Sequence, residues 1–538
     1  MINLEYFINK IPNFFSYRGI KEIKGLREYL NPSLKLLQDP FLLNSMDKTV
    51  DRILSNDSKK PILIYGDCDA DGVSGTALLY KYLCDVGYNI DFYIPKYNSE
   101  GHSLSKKAIE YIKSIGGNLI ITCDLGMSSN EEINYANNIG IDVIVTDHHK
   151  SSQELPESFS IINPWLSSSN LKFRDLSGSV VAFKLCQAIN IKLGFSIDKL
   201  DRLMILATLG IISDKVSINR DNRYISQQGY KKMSKDNNLG LYLLNKKIVK
   251  NSNRVDFNKL IRMINMVIKL GDPNVILKLL TSDNPIQITK YVNIVLKKFK
   301  KESNSLNSEV QLSLRKAYTQ DYKKNKCIFI TSDSSPSYNG VIANILLFRF
   351  SVPVIVMSVT NQGEYKGSFR GFKNIDILPF LISQKNNLVK FGGHSQAAGF
   401  LIKKDNISRL KEEFHSFVKN QNIKNVNDLN KINDLVSFQD INLDMLEFIE
   451  SFEPFGKDNE PPRFKSKGVK LFGKPNIINN SHESIKFTVE QNNLRFEALG
   501  LGLINKFEKL ITEDKLNIEF TILRTEVNKI ILNVYDIN

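Results

Sequence analysis

The sequence predicts an α/β protein: a parallel-sheet unit, a second α/β unit joined to it by connecting helices, and a small C-terminal β-barrel. Three observations predict this. From Pro61 to about Leu209, short apolar runs alternate with helical patterns, the signature of a parallel sheet covered by helices. A second alternation starts at Lys326 with "KCIFIT", "GVIANILLFRF", "VPVIVMSV" and "GEYKGSFR", and closes on "FGGHSQAAGF". After the polar stretch Lys419–Asp434, short segments alternate apolar and polar positions between polar turns, as in a small barrel.

Taken in order, "PILIY" (Pro61–Tyr65) reads as a buried strand before a helix from about Ser74 to Val86. "IDFYIP" (Ile90–Pro95) precedes a helix from about Ser105, "LIITCD" (Leu119–Asp124) one from about Asn130, and "DVIVTD" (Asp142–Asp147) a loop. "DRLMILATLGIISD" (Asp201–Asp214) is helical, and residues from about Asn222 to Lys316 read as connecting helices. The barrel strands are "GVKLFG", "SIKFTVE", "LRFEALGLG", "NIEFTILRTE" and "KIILNVYD". The expected division is 1–45 (N-terminal segment), 46–221 (first α/β unit), 222–316 (connecting helices), 317–420 (second α/β unit) and 421–538 (linker and barrel). No internal repeat is visible.

Composition excludes several classes. A length of 538 residues exceeds a single core, and 42% apolar with 24% charged residues is ordinary for a soluble protein. No run approaches the roughly 18 apolar residues of a membrane span, and "MINLEYFINKIPNFF" has no apolar region leading to a small-residue cleavage site, which reads as cytoplasmic. Cys68, Cys84, Cys123, Cys186 and Cys327 are scattered without CxxC spacing, so neither zinc nor a disulfide framework is suggested. A formal charge of +15 suits a polyanionic partner such as nucleic acid.

The chemistry sits at the ends of the strand-like runs. Asp67, Asp69 and Asp71 occur at every second position in "YGDCDADGVSGTALL". Were the chain to stay extended there, they would share one face at about 6–7 Å spacing and repel, which calls for a divalent cation held by oxygen ligands. An EF-hand is excluded by Leu78 at the twelfth position of the loop. Asp124 ends the third run, Asp147, His148 and His149 end the fourth, and Asp214 ends the helical segment. Ligands of parallel sheets bind beyond the carboxyl ends of strands, so these groups converge on one crevice. Carboxylates with one or two imidazoles suit a pair of Mn²⁺ or Mg²⁺ ions, which together can clamp a phosphate and hydrolyse its ester.

As a set, "DCDADGVS", "CDLGMSS", "TDHHK" and "ISD" resemble the four motifs of the DHH phosphoesterase superfamily, and "GSFR" with "FGGHSQAAGF" resembles its associated substrate-binding domain. "EGHSLS", "INPW", "SGSVVAFKL", "FEPFGKDNEPPRF" and the following barrel are similar to the bacterial RecJ family of single-stranded-DNA-specific exonucleases; the resemblance covers about residues 45–538. It implies that Asp69 and Asp124 bind one Mn²⁺, that Asp71, Asp124, His148 and Asp214 bind the other, and that Asp67 belongs to the first site or its surround. Asp147 would orient the neighbouring imidazoles, and His149 would hold the scissile phosphate. Ser368, Arg370, Gly392, Gly393 and His394 are implied substrate contacts, the glycines allowing close backbone approach to a phosphate.

Four positions depart from the family. Tyr65 stands where related small phosphoesterases carry a histidine, Tyr97 where an arginine is usual, and "NMVIK" keeps Asn265 but has Ile268 in a glycine's place and Lys269 in an arginine's. Asn265 and Lys269 are nonetheless candidate nucleic-acid contacts. The barrel resembles an OB-fold, which makes Lys486, Phe487, Arg495 and Phe496 candidates too, although alternate phenylalanines in a barrel are more often core. The implied activity is 5′→3′ degradation of single-stranded DNA in repair and recombination, by a monomer without membrane attachment, with a single-strand-binding protein or helicase as partner. Phosphoesterases of short oligonucleotides or dinucleotides, and a non-catalytic DNA-binding scaffold, are the alternatives.

Overall fold

Continuous apolar runs bury both faces of a strand, and they build the first sheet. Its strands are β1 (Ile62–Gly66), β2 (Ile90–Tyr93), β3 (Leu119–Cys123), β4 (Asp142–Thr146) and β5 (Ser160–Ile162), all parallel, in the order 2-1-3-4-5. This computed structural model describes residues 4–96, 100–101, 103–150, 154–233, 237–249, 254–270, 272–372, 375–421, 434–478, 484–525 and 527–538, less the side chains of Leu270, Lys323, His394 and Asn505. Ile62 and Ile64 face the helices Ala70–Asp85, Gly178–Lys192 and Met204–Ser213, whereas Leu63 and Tyr65 face Lys106–Ser114 and Asn130–Asn138. The short strand β5 is additional to the four runs expected.

The connecting region holds the helices Leu239–Ile248, Phe257–Leu270, Pro273–Thr281 and Pro285–Tyr318. The last has 34 residues, about 51 Å of rise. Val292 and Val295 near its start pack into the first unit, and Leu306, Val310 and Leu314 near its end pack into the second. One helix thus fixes the distance between the two units.

The second sheet contains β6 (Ile328–Ser332), β7 (Val354–Val359), β8 (Tyr365–Arg370), β9 (Leu388–His394) and β10 (Ala397–Ile402), ordered 6-7-8-10-9. Only β6 and β7 pair in parallel. The third sheet runs β11 (Asp434–Leu435), β12 (Phe464–Ile478), β13 (Ser484–Gln491), β14 (Leu494–Gly500), β16 (Ile530–Ile537) and β15 (Leu516–Arg524), and pairing of β12 with β15 closes it into a barrel. The N-terminal helices Leu4–Lys10, Pro12–Ser16 and Ile23–Leu30 join this barrel's core through Phe7, Phe14, Phe15 and Leu26. That membership was not visible in the sequence, which left residues 1–45 as a separate segment. Among the described residues, no helix is long and apolar enough to cross a membrane.

Candidate active site

The strand order reverses between β1 and β3, and a crevice opens there at the carboxyl ends. β1 stops at Gly66, and Asp69 then caps the helix Ala70–Asp85, accepting from the N–H groups of Asp71 and Gly72 at 3.0 Å each. The helix therefore begins four residues before the expected Ser74, and the three aspartates do not form an extended ladder. Asp71 lies in the first helical turn, fully buried, where it accepts from Gly178 N at 2.7 Å and Ser179 N at 2.9 Å. Those donors open the helix Gly178–Lys192, so two positive helix ends face the carboxylates.

Asp124 follows β3 with φ of +68°, and its N–H donates to Thr146 O at 2.9 Å. This left-handed turn aims its carboxylate across the crevice. His148 Nε2 lies 3.1 Å from Asp124 Oδ1 and 3.0 Å from Asp214 Oδ2, Asp214 being the residue that ends the helix Met204–Ser213. Asp124 Oδ1 and His148 Nε2 are buried and, despite that proximity, neither has an aligned hydrogen-bond partner. Ligand atoms of Asp67, Asp69 and Asp124 come within 4.8 Å of one another, as do those of Asp71, Asp124, His148 and Asp214. Asp124 is common to both sets.

Electrostatics give the same picture. Burial, followed by the charges of Asp67, Asp214 and Asp71, pushes Asp69 up to about 7. Burial and Asp214 push Asp71 to about 6, and burial with Asp71 and Asp69 pushes Asp124 well above the usual carboxylate range. For His148, burial acts downward but is outweighed by Asp214 and Asp71, which raise it to about 9. Buried carboxylates that outnumber the single imidazole among them, beside two unaligned ligand atoms, fit a hard divalent cation. Burial also pushes the thiols of Cys68 and Cys123 up.

The adjacent histidines do not point in opposite directions, as an extended "DHH" would require. β4 ends at Thr146, and the two rings lie with centroids 4.5 Å apart. They differ in partners instead. Asp147 Oδ1 accepts from His149 Nδ1 at 2.8 Å and from the N–H groups of His148 and His149 at 2.7 and 3.0 Å, while Met127 N donates to Asp147 Oδ2 at 3.1 Å. Asp147 thus holds the His149 ring through Nδ1, a ring nitrogen of His149 lies within 4.8 Å of ligand atoms of Asp124 and His148, and the His148 ring is set by Asp124 and Asp214. Tyr65 turns away from the cluster, donating to Ser103 O at 2.9 Å and stacking on Tyr93.

A cleft of about 530 Å³ lies between the helix Phe257–Leu270 and the second sheet, lined by Asn265, Lys269, Ser368, Arg370 and Gly393 among others. Arg370 donates to Ser368 Oγ at 3.0 Å and to Asn344 Oδ1 at 2.9 Å, which spreads its guanidinium along the cleft wall. Gly392 on β9 is exposed, and a side chain there would meet nothing within 4 Å. The His394 side chain and Tyr97 lie outside the described residues. Asn265 has a structural role: its Oδ1 accepts from Ala70 N at 2.8 Å, so it caps the helix that carries Asp71. Lys366 on β8 also lines the cleft, and burial, with the nearby Lys269 charge, pulls its ammonium down. Ile268 is buried.

In the barrel, Phe487 is 3% exposed and serves the core, while Phe496 is half-buried at the core's edge and packs edge-on against Phe438. Lys486 pairs with Glu497 at 3.0 Å, while Arg495 pairs with Glu490 and lies over the Phe472 ring at 3.4 Å. Of the four barrel candidates, only these two cations are exposed.

Two site residues escaped the sequence reading. A Cβ at Gly178 would meet Asp124 Oδ1 at 2.4 Å, and one at Gly210 would meet Asp71 Oδ1 at 1.8 Å. Both glycines sit inside helical runs, where their only signal was the absence of a side chain.

Residues 61–211 match the DHH family, N-terminal domain, residues 325–420 the DHHA1 domain and residues 432–530 the RecJ OB domain. The chain is 27% identical over 514 residues to the single-stranded-DNA-specific exonuclease RecJ of Bacillus subtilis, covering 93% of this chain and 64% of that protein. The chain thus carries DHH, DHHA1 and RecJ OB domains and is homologous to RecJ proteins over most of its length. It is also 28% identical over 434 residues to Escherichia coli RecJ, covering 75% of this chain and 74% of that protein. Its fold matches that of Thermus thermophilus RecJ in complex with Mn²⁺ with a TM-score of 0.78 at 21% identity, over 99% of this chain and 76% of that one. The chain thus spans somewhat less than two thirds of the B. subtilis RecJ homologue and three quarters of the other two.

Proposed function

We propose that this protein is a divalent-metal-dependent exonuclease that degrades single-stranded DNA from the 5′ end by phosphodiester hydrolysis, in DNA repair and recombination. One observation carries the reading: the buried Asp and His cluster at the β1/β3 switch shares the Asn265-capped loop with the Ser368 and Arg370 cleft. Asp67, Asp69 and Asp124 would hold one Mn²⁺ or Mg²⁺, and Asp71, Asp124, His148 and Asp214 a second. When bound, such a pair supplies Lewis-acid polarisation of the phosphoester and neutralises the charge that develops on its oxygens.

The remaining work falls to the chain's own groups. His149, fixed through Nδ1 by Asp147, presents Nε2 toward the crevice and donates to a non-bridging phosphate oxygen. Ser368 and Arg370, with the backbone at Gly392 and Gly393, grip the phosphate of the neighbouring nucleotide. Asp71 is held rigid by the two N–H donors at the start of the helix Gly178–Lys192. The OB-type barrel would hold a long strand, which favours a polymer over dinucleotides, and a helicase or single-strand-binding protein would deliver that strand.

Time courses on 5′- and 3′-labelled single strands, duplexes and dinucleotides with Mn²⁺, Mg²⁺ or EDTA test this. Release of mononucleotides from the 5′ end of single strands, abolished by EDTA, is expected. Faster turnover of dinucleotides than of long strands would replace the reading with an oligonucleotide phosphoesterase.

A further inference from the structure

Beside His149, on the side of the crevice away from the Ser368 and Arg370 cleft, lies a second pocket, of about 330 Å³. Its walls include Met127, Leu155, Leu166 and Trp165, with the His149 ring and Lys150 at its edge. Trp165 is the chain's single tryptophan, and it is only half buried. Lys150 Nζ lies 4.2 Å from its ring centroid. Leu155 is 42% exposed, so the apolar lining is open to solvent.

The pocket is built onto the reacting centre. Asn163, fully buried after β5, donates from Nδ2 to His149 O at 2.9 Å and accepts from Trp165 N at 2.8 Å. Ser169 Oγ fixes Asn163 O at 2.8 Å. One side chain therefore ties the tryptophan turn to the His149 backbone. Met127, which also lines the pocket, is tethered through its N–H to Asp147, the same carboxylate that holds the His149 ring. A planar group seated against Trp165 would have its position set relative to His149 by two short hydrogen-bonded links.

We infer that this pocket is a nucleobase subsite: Trp165 stacks the base on one side of the scissile phosphate, and Lys150 accompanies that nucleotide's backbone. The inference rests on the phosphodiesterase reading above. Its chemistry is that of single-strand recognition, in which any base offers a π-face to an aromatic ring and a nearby cation meets the phosphate. The topology assigns the side. The Ser368 and Arg370 cleft meets the loop after β1, whereas the pocket follows β4 and β5 at the other end of the crevice. A strand crossing the cluster places one nucleotide in each, so the pocket takes the nucleotide across the scissile bond from the one held by Arg370.

Because Trp165 is the only tryptophan, its fluorescence reports on this pocket alone. Titration of the full chain with short thymidine oligonucleotides in EDTA, which blocks cleavage, is expected to quench that emission along the binding curve measured by anisotropy. W165A should raise KM on single strands about tenfold, and W165F and W165Y should restore most of the loss. A single abasic site moved through the first few nucleotides should slow the wild type at one position, and W165A should not feel that position. Saturable binding with unchanged emission, or an abasic penalty equal in wild type and W165A, would overturn the subsite. Absence of any single-strand cleavage by the wild type would instead overturn the phosphodiesterase reading.

Discussion

Asp124 shows what a single backbone conformation contributes. At φ of +68° it leaves β3 in the left-handed region and directs one carboxylate at both groups of ligand atoms. Asp124→Ala should therefore lower turnover by at least about 10³-fold, more than any ligand found in one group only, without unfolding the chain; single-turnover cleavage beside circular dichroism checks this, and wild-type activity in Mn²⁺ would refute the shared role. Gly210 yields a second prediction. A methyl group there would sit 1.8 Å from Asp71 Oδ1, so Gly210→Ala should destabilise the protein by about 1–3 kcal/mol and raise the Mn²⁺ concentration for half-activation; thermal melts and metal titration read both effects. The polar half of the site was legible in the sequence, because carboxylates and imidazoles gathered at the ends of buried apolar runs are costly to desolvate unless a cation compensates them. Its steric half was not, since a glycine in a helix looks the same whether it meets solvent or a buried carboxylate.

Helix starts organise the site at the scale of elements. Asp69 caps one helix, the Asp71 carboxylate in that helix's first turn accepts from the opening N–H groups of another, and Asn265 reaches from a third to the first free N–H of the first. Asn265→Ala should leave Ala70 N–H without its acceptor, lower stability by about 1 kcal/mol and loosen the Asp67–Asp71 loop. A lower melting temperature together with a weaker Mn²⁺ response is the expected result; a change confined to KM for DNA would return Asn265 to the role of a nucleic-acid contact. The buried strands were readable from their unbroken apolar runs, and the barrel from its alternation. The start of the helix at Ala70 was not, because an aspartate before a helix carries the same letter whether it caps, binds a cation or does both. β5, at three residues, is too short to leave a periodicity.

The N-terminal helices and the barrel form one unit of the whole molecule, although most of the sequence separates them. Phe7 stacks on Phe448 with ring centroids 4.4 Å apart, Asp434 accepts from Asn13 N and Phe14 N at 2.9 and 3.0 Å, and Lys10 pairs with Asp440 at 2.8 Å. No local pattern could reveal contacts across more than 400 residues. This unit docks just downstream of Asp214, where Ile218 N donates to Lys457 O at 2.9 Å and Arg223 donates to Phe452 O at 2.9 Å. A clean test of whether the barrel grips DNA must therefore remove residues 1–30 along with everything from 434 onward, since deleting the barrel alone would strand Phe7, Phe14 and Phe15, each worth about 1.5–3 kcal/mol of burial. The doubly truncated chain keeps both α/β cores and the long helix between them. Its binding to long single strands should weaken, and the slope of log K against log salt should flatten by about 0.7 for each phosphate that the shorter chain no longer neutralises. Cleavage of very short strands should persist, because the Asp and His cluster and the Arg370 cleft lie wholly within the retained residues. An unchanged slope in a folded, active truncation would show that the barrel does not hold the strand.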